Sequence, residues 1–151
     1  MGKRVNKKKK VILIAGIVII ISIFSGFTTN KQQEVVVNLL EQRTQILQQA
    51  LFHEISIETA EDRLKNIETP PLLSEDIKSL REFDETDLDI IKNMTILQID
   101  NERRILEYYT YDLNILWEMC GSESNYFLEN NYYVVLKEIG GIHKLSNFDP
   151  K

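Results

Sequence analysis

The stretch YTYDLNILWEM, residues 109–119, decides how the rest of the chain has to fold. Successive side chains of a β-strand point to opposite faces, so an alternation of apolar and polar residues predicts a strand with one buried face. The apolar positions are Tyr109, Tyr111, Leu113, Ile115, Trp117 and Met119, and they alternate with Thr110, Asp112, Asn114, Leu116 and Glu118. Other elements of the chain must cover this apolar face.

Three more strands are predicted around this one. An earlier strand covers about Met94–Asp100, and Gly121–Asn125 forms a turn into a second long strand, Tyr126–Glu138. Gly140-Gly141 predicts a tight hairpin turn, after which Ile142–Phe148 closes the sheet. The order indicates an antiparallel meander.

The residues before the strands show helical periodicity instead. Apolar residues recur at helical spacing over Lys31–Glu54, with Gln and Glu on the opposite face. Ser56 is predicted to cap a second helix, which Pro70 and Pro71 end, and Ser74 is predicted to cap a shorter third helix. The apolar stripe of the second helix consists of Ile57, Ala60, Leu64 and Ile67.

Helices followed by a meander of strands predict an α+β fold, with the helices packed on the apolar face of the sheet. The predicted strands exceed the usual length of about five or six residues. Long strands twist, so we expect a bent antiparallel sheet wrapped around a long helix as a cone.

The charges of the chain are divided between its two ends. Residues 1–10 hold six Lys and Arg, residues 11–27 hold no charge, and the remaining twelve Lys and Arg face all 23 Asp and Glu. Residues 28–151 therefore carry a net charge of −11. A domain this acidic repels phosphate backbones, so we expect no nucleic acid among its partners.

Residues 11–27 read VILIAGIVIIISIFSGF and predict a transmembrane helix of about 26 Å. The span is marked by Val11, Ile14, Ile19, Ile23 and Phe27, and the topology signal by Lys7, Lys8, Lys9 and Lys10. By the positive-inside rule, residues 1–10 form a cytoplasmic tail and residues 28–151 an extracytoplasmic domain. We therefore expect a single-pass protein of the plasma membrane, with the lipid bilayer as its first partner.

Two processing alternatives compete with an uncleaved signal-anchor. A cleaved signal peptide needs small residues at positions −3 and −1, but sites near Ser22 and Ser25 place Ile at −3, and Gly26 with Thr28 fits weakly. Lipoprotein anchoring needs a cysteine after the apolar run, and the only cysteine is Cys120. An uncleaved anchor is the interpretation that we favour.

The C-terminal stretch YYVVLKEIGGIHKLSNFDP, residues 132–150, resembles the end of the NTF2-like (cystatin-like α+β cone) superfamily. Members often finish with a strand, a Gly turn and a strand of alternating bulky residues, and His143 stands where they usually have an aromatic residue. The resemblance implies the cone-shaped fold of ketosteroid isomerases and many binding modules. Its membrane-anchored members include extracytoplasmic subunits of conjugation and type IV secretion channels, and single anchored domains also occur in uncharacterised Gram-positive surface proteins.

An isomerase of this fold uses a Tyr and an acid to stabilise an oxyanion while a second carboxylate moves the proton. Asp112 is a candidate for that carboxylate, but its place in the alternation predicts that it points to solvent. We expect no catalytic residue and no enzyme. A small-ligand-binding protein or an isomerase-like enzyme that uses the interior of the cone is the alternative.

Metal and cofactor sites are not predicted either. His53, His143 and Cys120 have no ligand-like spacing for zinc. The acidic run Glu82, Asp84, Glu85, Asp87 and Asp89 lacks the central Gly and terminal Glu of a calcium loop, which favours a solvated loop.

Aromatic residues provide the candidate interaction surface or pocket, which consists of Tyr108, Tyr126, Phe127 and Tyr133. A sheet face with aromatics and few charges is a common docking surface for a partner. We expect a non-catalytic interaction or assembly domain that binds another envelope protein or a second copy of itself.

The predicted topology has a direct test. Protease added to intact cells should digest residues 28–151, because they lie outside the membrane. Protection of this part in intact cells, combined with cleavage in lysates, would contradict the topology.

Overall fold

A computed structural model describes residues 31–84 and 88–151, which form three helices followed by four strands. The predicted α+β class is confirmed. The helices are α1 (Lys31–Leu51), α2 (Ile57–Ile67) and α3 (Leu72–Glu82), and the strands are β1 (Ile90–Ile105), β2 (Tyr108–Cys120), β3 (Asn125–Ile139) and β4 (Ile142–Pro150).

The strands form one antiparallel sheet in the order β1-β2-β3-β4, as the meander predicts. β2 and β3 pair without a shift of register from Tyr108↔Lys137 to Cys120↔Asn125. The register of β1 against β2 shifts at three places, and that of β3 against β4 shifts between Val135 and Leu136. Such bulges bend a strand and increase its twist.

The apolar face of β2 forms the centre of the core. Tyr109, Tyr111, Leu113, Ile115 and Trp117 are each at most 7% exposed, and they belong to one apolar cluster with residues of all three helices. We call this face of the sheet the inner face and the opposite one the outer face. The prediction from residues 109–119 is confirmed.

The start of α2 agrees with its prediction, because the Ser56 hydroxyl accepts a hydrogen bond of 3.1 Å from the Thr59 backbone N–H. The predicted cap of α3 is wrong. This helix begins at Leu72, directly after Pro71, and Ser74 lies within its first turn. Backbone carbonyls replace a side-chain cap, because the Ser74 N–H donates a hydrogen bond of 2.9 Å to Pro71 and the Leu73 N–H one of 3.3 Å to Thr69.

The predicted boundaries of the first helix and the first strand shift in the structure. The first helix ends at Leu51 rather than Glu54, and His53 follows in the left-handed region with φ of 57°. β1 begins at Ile90 rather than Met94 and ends at Ile105 rather than Asp100, because backbone pairing with β2 extends the strand at both ends.

Within residues 31–84 and 88–151, no helix combines the length and the hydropathy that a membrane crossing needs. The predicted span marked by Val11, Ile14, Ile19, Ile23 and Phe27, and the topology signal Lys7–Lys10, lie outside the described residues.

Two serines near helix starts test the capping assignment. S56A should lower the free energy of unfolding by about 1 kcal/mol, because it leaves an amide of the first turn without its acceptor. S74A is the matched control and should change it by less than about 0.5 kcal/mol, since Ser74 is exposed and caps nothing. Urea unfolding measures both, and equal effects would contradict the assignment.

Candidate functional site

An open apolar cleft lies between the C-terminal half of α1 and the inner face of the sheet. It encloses about 350 Å³. Leu47, Leu51 and Phe52 line it from the helix side, and Ile91, Met119 and Leu128 line it from the sheet. Its walls therefore consist largely of aliphatic and aromatic side chains.

The cleft exists because the helices do not cover the whole sheet. α1 ends at Leu51 and does not cover the first residues of β3. Leu128, in this part of β3, faces inward but remains 44% exposed. The Gln48 side-chain oxygen accepts a hydrogen bond of 2.8 Å from the Ile91 backbone N–H. This bond holds α1 to the edge strand β1 and fixes one side of the opening.

The floor of the cleft is built from aromatic rings that support one another. Trp117 Nε1 donates a hydrogen bond of 3.0 Å to the Tyr132 hydroxyl, and the Tyr132 and Phe148 rings stack with centroids 4.4 Å apart. The guanidinium of Arg43 lies 5.1 Å from the centre of the Phe148 ring. Each of these side chains is held by a neighbour, so the floor is preorganised.

A buried ionic cluster lies beneath this floor. Arg43 donates two hydrogen bonds to Asp76, from Nε to Oδ2 at 2.7 Å and from a terminal nitrogen to Oδ1 at 2.8 Å. Its Nε also lies 3.3 Å from Oε1 of Glu68, whose side chain is fully buried. One arginine therefore faces two carboxyl groups.

Burial, and then the neighbouring Asp76 carboxylate, raise the pKa of Glu68 to about 8. At neutral pH Glu68 therefore keeps its proton, and the positive charge of Arg43 is balanced by Asp76 alone. The ionic cluster contributes no net charge to the cleft.

The sequence did not point to this cluster. Asp76 reads as an ordinary acidic residue at a helix start, and Glu68 as the polar end of α2. Glu68 is buried because its backbone pairs with Leu145 of β4. No local pattern reports a contact between residues so far apart in the chain.

The four predicted surface aromatics do not form one patch. Tyr108, Phe127 and Tyr133 lie on the outer face, where Phe127 and Tyr133 are about 20 Å apart along β3. Tyr126 pairs with Met119, so it is on the inner side, and its hydroxyl donates a hydrogen bond to Asp89 at the rim of the cleft.

Asp112 and His143, which the sequence offered for chemistry, do not line the cleft. Asp112 accepts a hydrogen bond of 2.7 Å from Asn101 and lies 2.6 Å from the Lys151 ammonium; bonds to Lys151 and Asn101 hold its pKa below the usual value. His143 packs edge-on against Tyr109 at 4.9 Å. In the described part of the chain, no three His, Cys, Asp or Glu side chains are grouped to hold a metal ion.

Among the described residues that line the cleft, the charged side chains are Arg43 and Asp89. Arg43 forms an ion pair with Asp76, and Asp89 accepts a hydrogen bond from the Tyr126 hydroxyl. The arrangement suits the exclusion of water around an apolar group better than it suits proton transfer.

The pKa of Glu68 predicts a pH-dependent stability. The folded-state value of about 8 lies above the ordinary value of 4.5, so the contribution of Glu68 to stability is complete below pH 4.5 and is lost as pH rises to about 8. E68Q should therefore raise the free energy of unfolding at pH 8 by roughly 2–4 kcal/mol. It should have little effect at pH 4.5.

D76N is the contrasting variant for the same urea titrations. It removes the bidentate partner of Arg43 and should lower the free energy of unfolding by roughly 3 kcal/mol. If E68Q stabilised the protein equally at both pH values, Glu68 would not be the titrating group.

Neither the known protein-family models nor the curated proteins include a match to this chain. The cleft and its neighbouring side chains are therefore the basis for assigning a function.

Proposed function

We propose that this protein is a membrane-anchored, non-catalytic binding domain displayed outside the cytoplasm, and that its cleft takes an apolar segment of another envelope protein. The observation that carries the proposal is the open cleft itself, with its apolar walls and with the Arg43 charge balanced by Asp76. The anchor and its orientation rest on residues 1–27 of the sequence.

The chemistry of the cleft favours an apolar occupant. An anionic group placed there would lose its hydration without gaining a free cation, because Arg43 is already paired with Asp76. Burial of a single Leu or Phe side chain contributes about 1.5–3 kcal/mol. Two such residues would together contribute about 3–6 kcal/mol toward the cost of association.

A protein segment is favoured over a flat contact on the outer face. The outer-face positions of β2 between Tyr108 and Leu116 are polar: Thr110, Asp112 and Asn114. The domain's net charge of −11 suits a partner whose apolar segment has basic flanks, since opposite charges speed the encounter.

We also propose that the domain belongs to the NTF2-like superfamily and that the protein is part of a conjugation or secretion channel. The support is the C-terminal stretch of residues 132–150 and the layout of basic tail, span and domain.

A small apolar ligand is the second candidate occupant. About 350 Å³ lies at the lower end of the range of roughly 300–1,000 Å³ that small-molecule sites occupy. The side chain of Asn130 and the Tyr132 hydroxyl would supply polar contacts at the floor. Mass spectrometry of solvent extracts from the purified full chain tests this candidate. A small compound present at about one molecule per chain would support it.

Site-specific photocrosslinking in living cells tests the leading proposal. A photoreactive amino acid replaces Leu51 in the full chain, and its protein adduct is compared in L128E and F127E backgrounds. These neighbours face opposite sides of β3, Leu128 into the cleft and Phe127 outward. L128E should abolish the adduct, and F127E should leave it intact, with circular dichroism confirming that both variants fold.

The alternative results are equally informative. Loss of the adduct in F127E but not in L128E would move the interface to the outer face. An adduct that contains no protein would contradict a protein occupant.

A further inference from the structure

Two β-hairpins end side by side and present exposed aliphatic residues at one end of the sheet. We call Ile105, Leu106, Ile139 and Ile142 the hairpin tips; they are 64%, 80%, 44% and 62% exposed. The Glu138 backbone N–H donates a hydrogen bond of 2.7 Å to the Glu107 carbonyl, which joins the two hairpins. The four residues therefore lie together at one end of the sheet, beside the exposed Glu107 and the Arg104–Glu138 ion pair of 3.4 Å.

Folding gives no reason for an apolar residue at Leu106. Its φ of 55° lies in the left-handed region, which is costly for a leucine and favours Gly or Asn. The other hairpin uses Gly140 and Gly141 at φ of 60° and 81°. Since Leu106 is also the most exposed of the large apolar residues described, its side chain is available for something outside the fold.

The direction of α1 relates the hairpin tips to the start of the domain. The C-terminal part of α1 reaches the sheet at Ile91, which pairs with Met119 near the far end of β2. The middle of α1 reaches Phe148, which pairs with Val134, and Val134 pairs with Tyr111 near the start of β2. α1 thus runs from the tip end of the sheet towards the cleft end, and Lys31 lies towards the hairpin tips.

The chain leaves little distance between this end and the predicted membrane span. Three residues, 28–30, separate Phe27 from Lys31. At up to about 3.5 Å per residue, they and the adjoining peptide bonds reach roughly 14 Å. The end of the domain that carries Lys31 must therefore stay close to the bilayer surface.

The residues beside the hairpin tips suit a bilayer interface. Tyr108 is half-buried next to Ile105, and the Lys137 ammonium lies 5.3 Å from the centre of its ring. Tyrosine and lysine are the side chains that occupy the headgroup level of membranes, where the ring is partly desolvated and the ammonium meets phosphate.

We propose that the hairpin tips dock on the outer leaflet of the membrane and insert Leu106 and its three neighbours into the headgroup region. The proposal rests on the anchor of the proposed function. The eleven-residue rise from Tyr108 to Met119 corresponds to about 36 Å, so this docking points the cleft away from the lipid. The anchor then fixes the orientation of the domain as well as its location.

Fluorescence depth measurements on the full chain in phospholipid vesicles test the docking. A polarity-sensitive fluorophore is attached to L106C or I142C in a C120S background, and to F127C as the control. Phe127 is 64% exposed and pairs with Glu118, near the far end of β2. Labels at the two tip positions should shift to the blue and lose fluorescence with brominated phospholipids, whereas the F127C label should do neither.

Three other results would contradict the proposed docking. A chain that floats with the vesicles while its L106C and I142C labels remain as aqueous as F127C would overturn the docking but keep the anchor. A chain that does not float with the vesicles would overturn the anchor and the docking together. Tip labels that are shielded at high protein density without quenching by brominated lipid would assign the tips to a second copy of the chain.

Discussion

Five large side chains on the inner face of β2 have to be kept from water, and the rest of the domain is arranged by that requirement. α1 crosses this face and supplies most of the helical part of the core. Because α1 is shorter than the strands it covers, one end of the sheet is left open and becomes the cleft. At the opposite end the hairpins continue past the core and expose the tips. The two ends therefore differ in shape and chemistry for the same geometric reason.

The cluster of Arg43, Asp76 and Glu68 connects the core with the cleft. Arg43 is on α1, Asp76 on α3, and Glu68 is paired through its backbone with β4, so one guanidinium links three parts of the fold. The same guanidinium lies over Phe148, which supports the Tyr132 and Trp117 side chains of the floor. The raised pKa of Glu68 means that this cluster adds no net negative charge beneath the floor at neutral pH. An apolar occupant is thus favoured by the cluster beneath the floor as well as by the walls.

Features that depend on neighbours in the sequence could be predicted, and features that depend on distant contacts could not. The alternation in β2, the Ser56 cap and the Gly140-Gly141 turn are local, and the structure agrees with all three. The prediction of a Ser74 cap failed because backbone carbonyls of Thr69 and Pro71 accept from the first amides of α3. The Arg43–Asp76 ion pair joins residues 33 positions apart, which no local pattern predicts. The exposure of Leu128 depends on the end of α1 at Leu51, which lies in a distant part of the sequence. The exposure of the hairpin tips could not be predicted from the sequence, because an apolar residue usually indicates burial.

A single intrinsic probe can test whether the cleft faces away from the membrane. Trp117 is the only tryptophan in the chain, and it belongs to the floor of the cleft. In vesicles that contain the full chain, an outward-facing cleft predicts that brominated phospholipids leave the fluorescence of Trp117 unchanged. Quenching of Trp117 by the brominated lipids would place the cleft against the bilayer and contradict the proposed orientation and binding role.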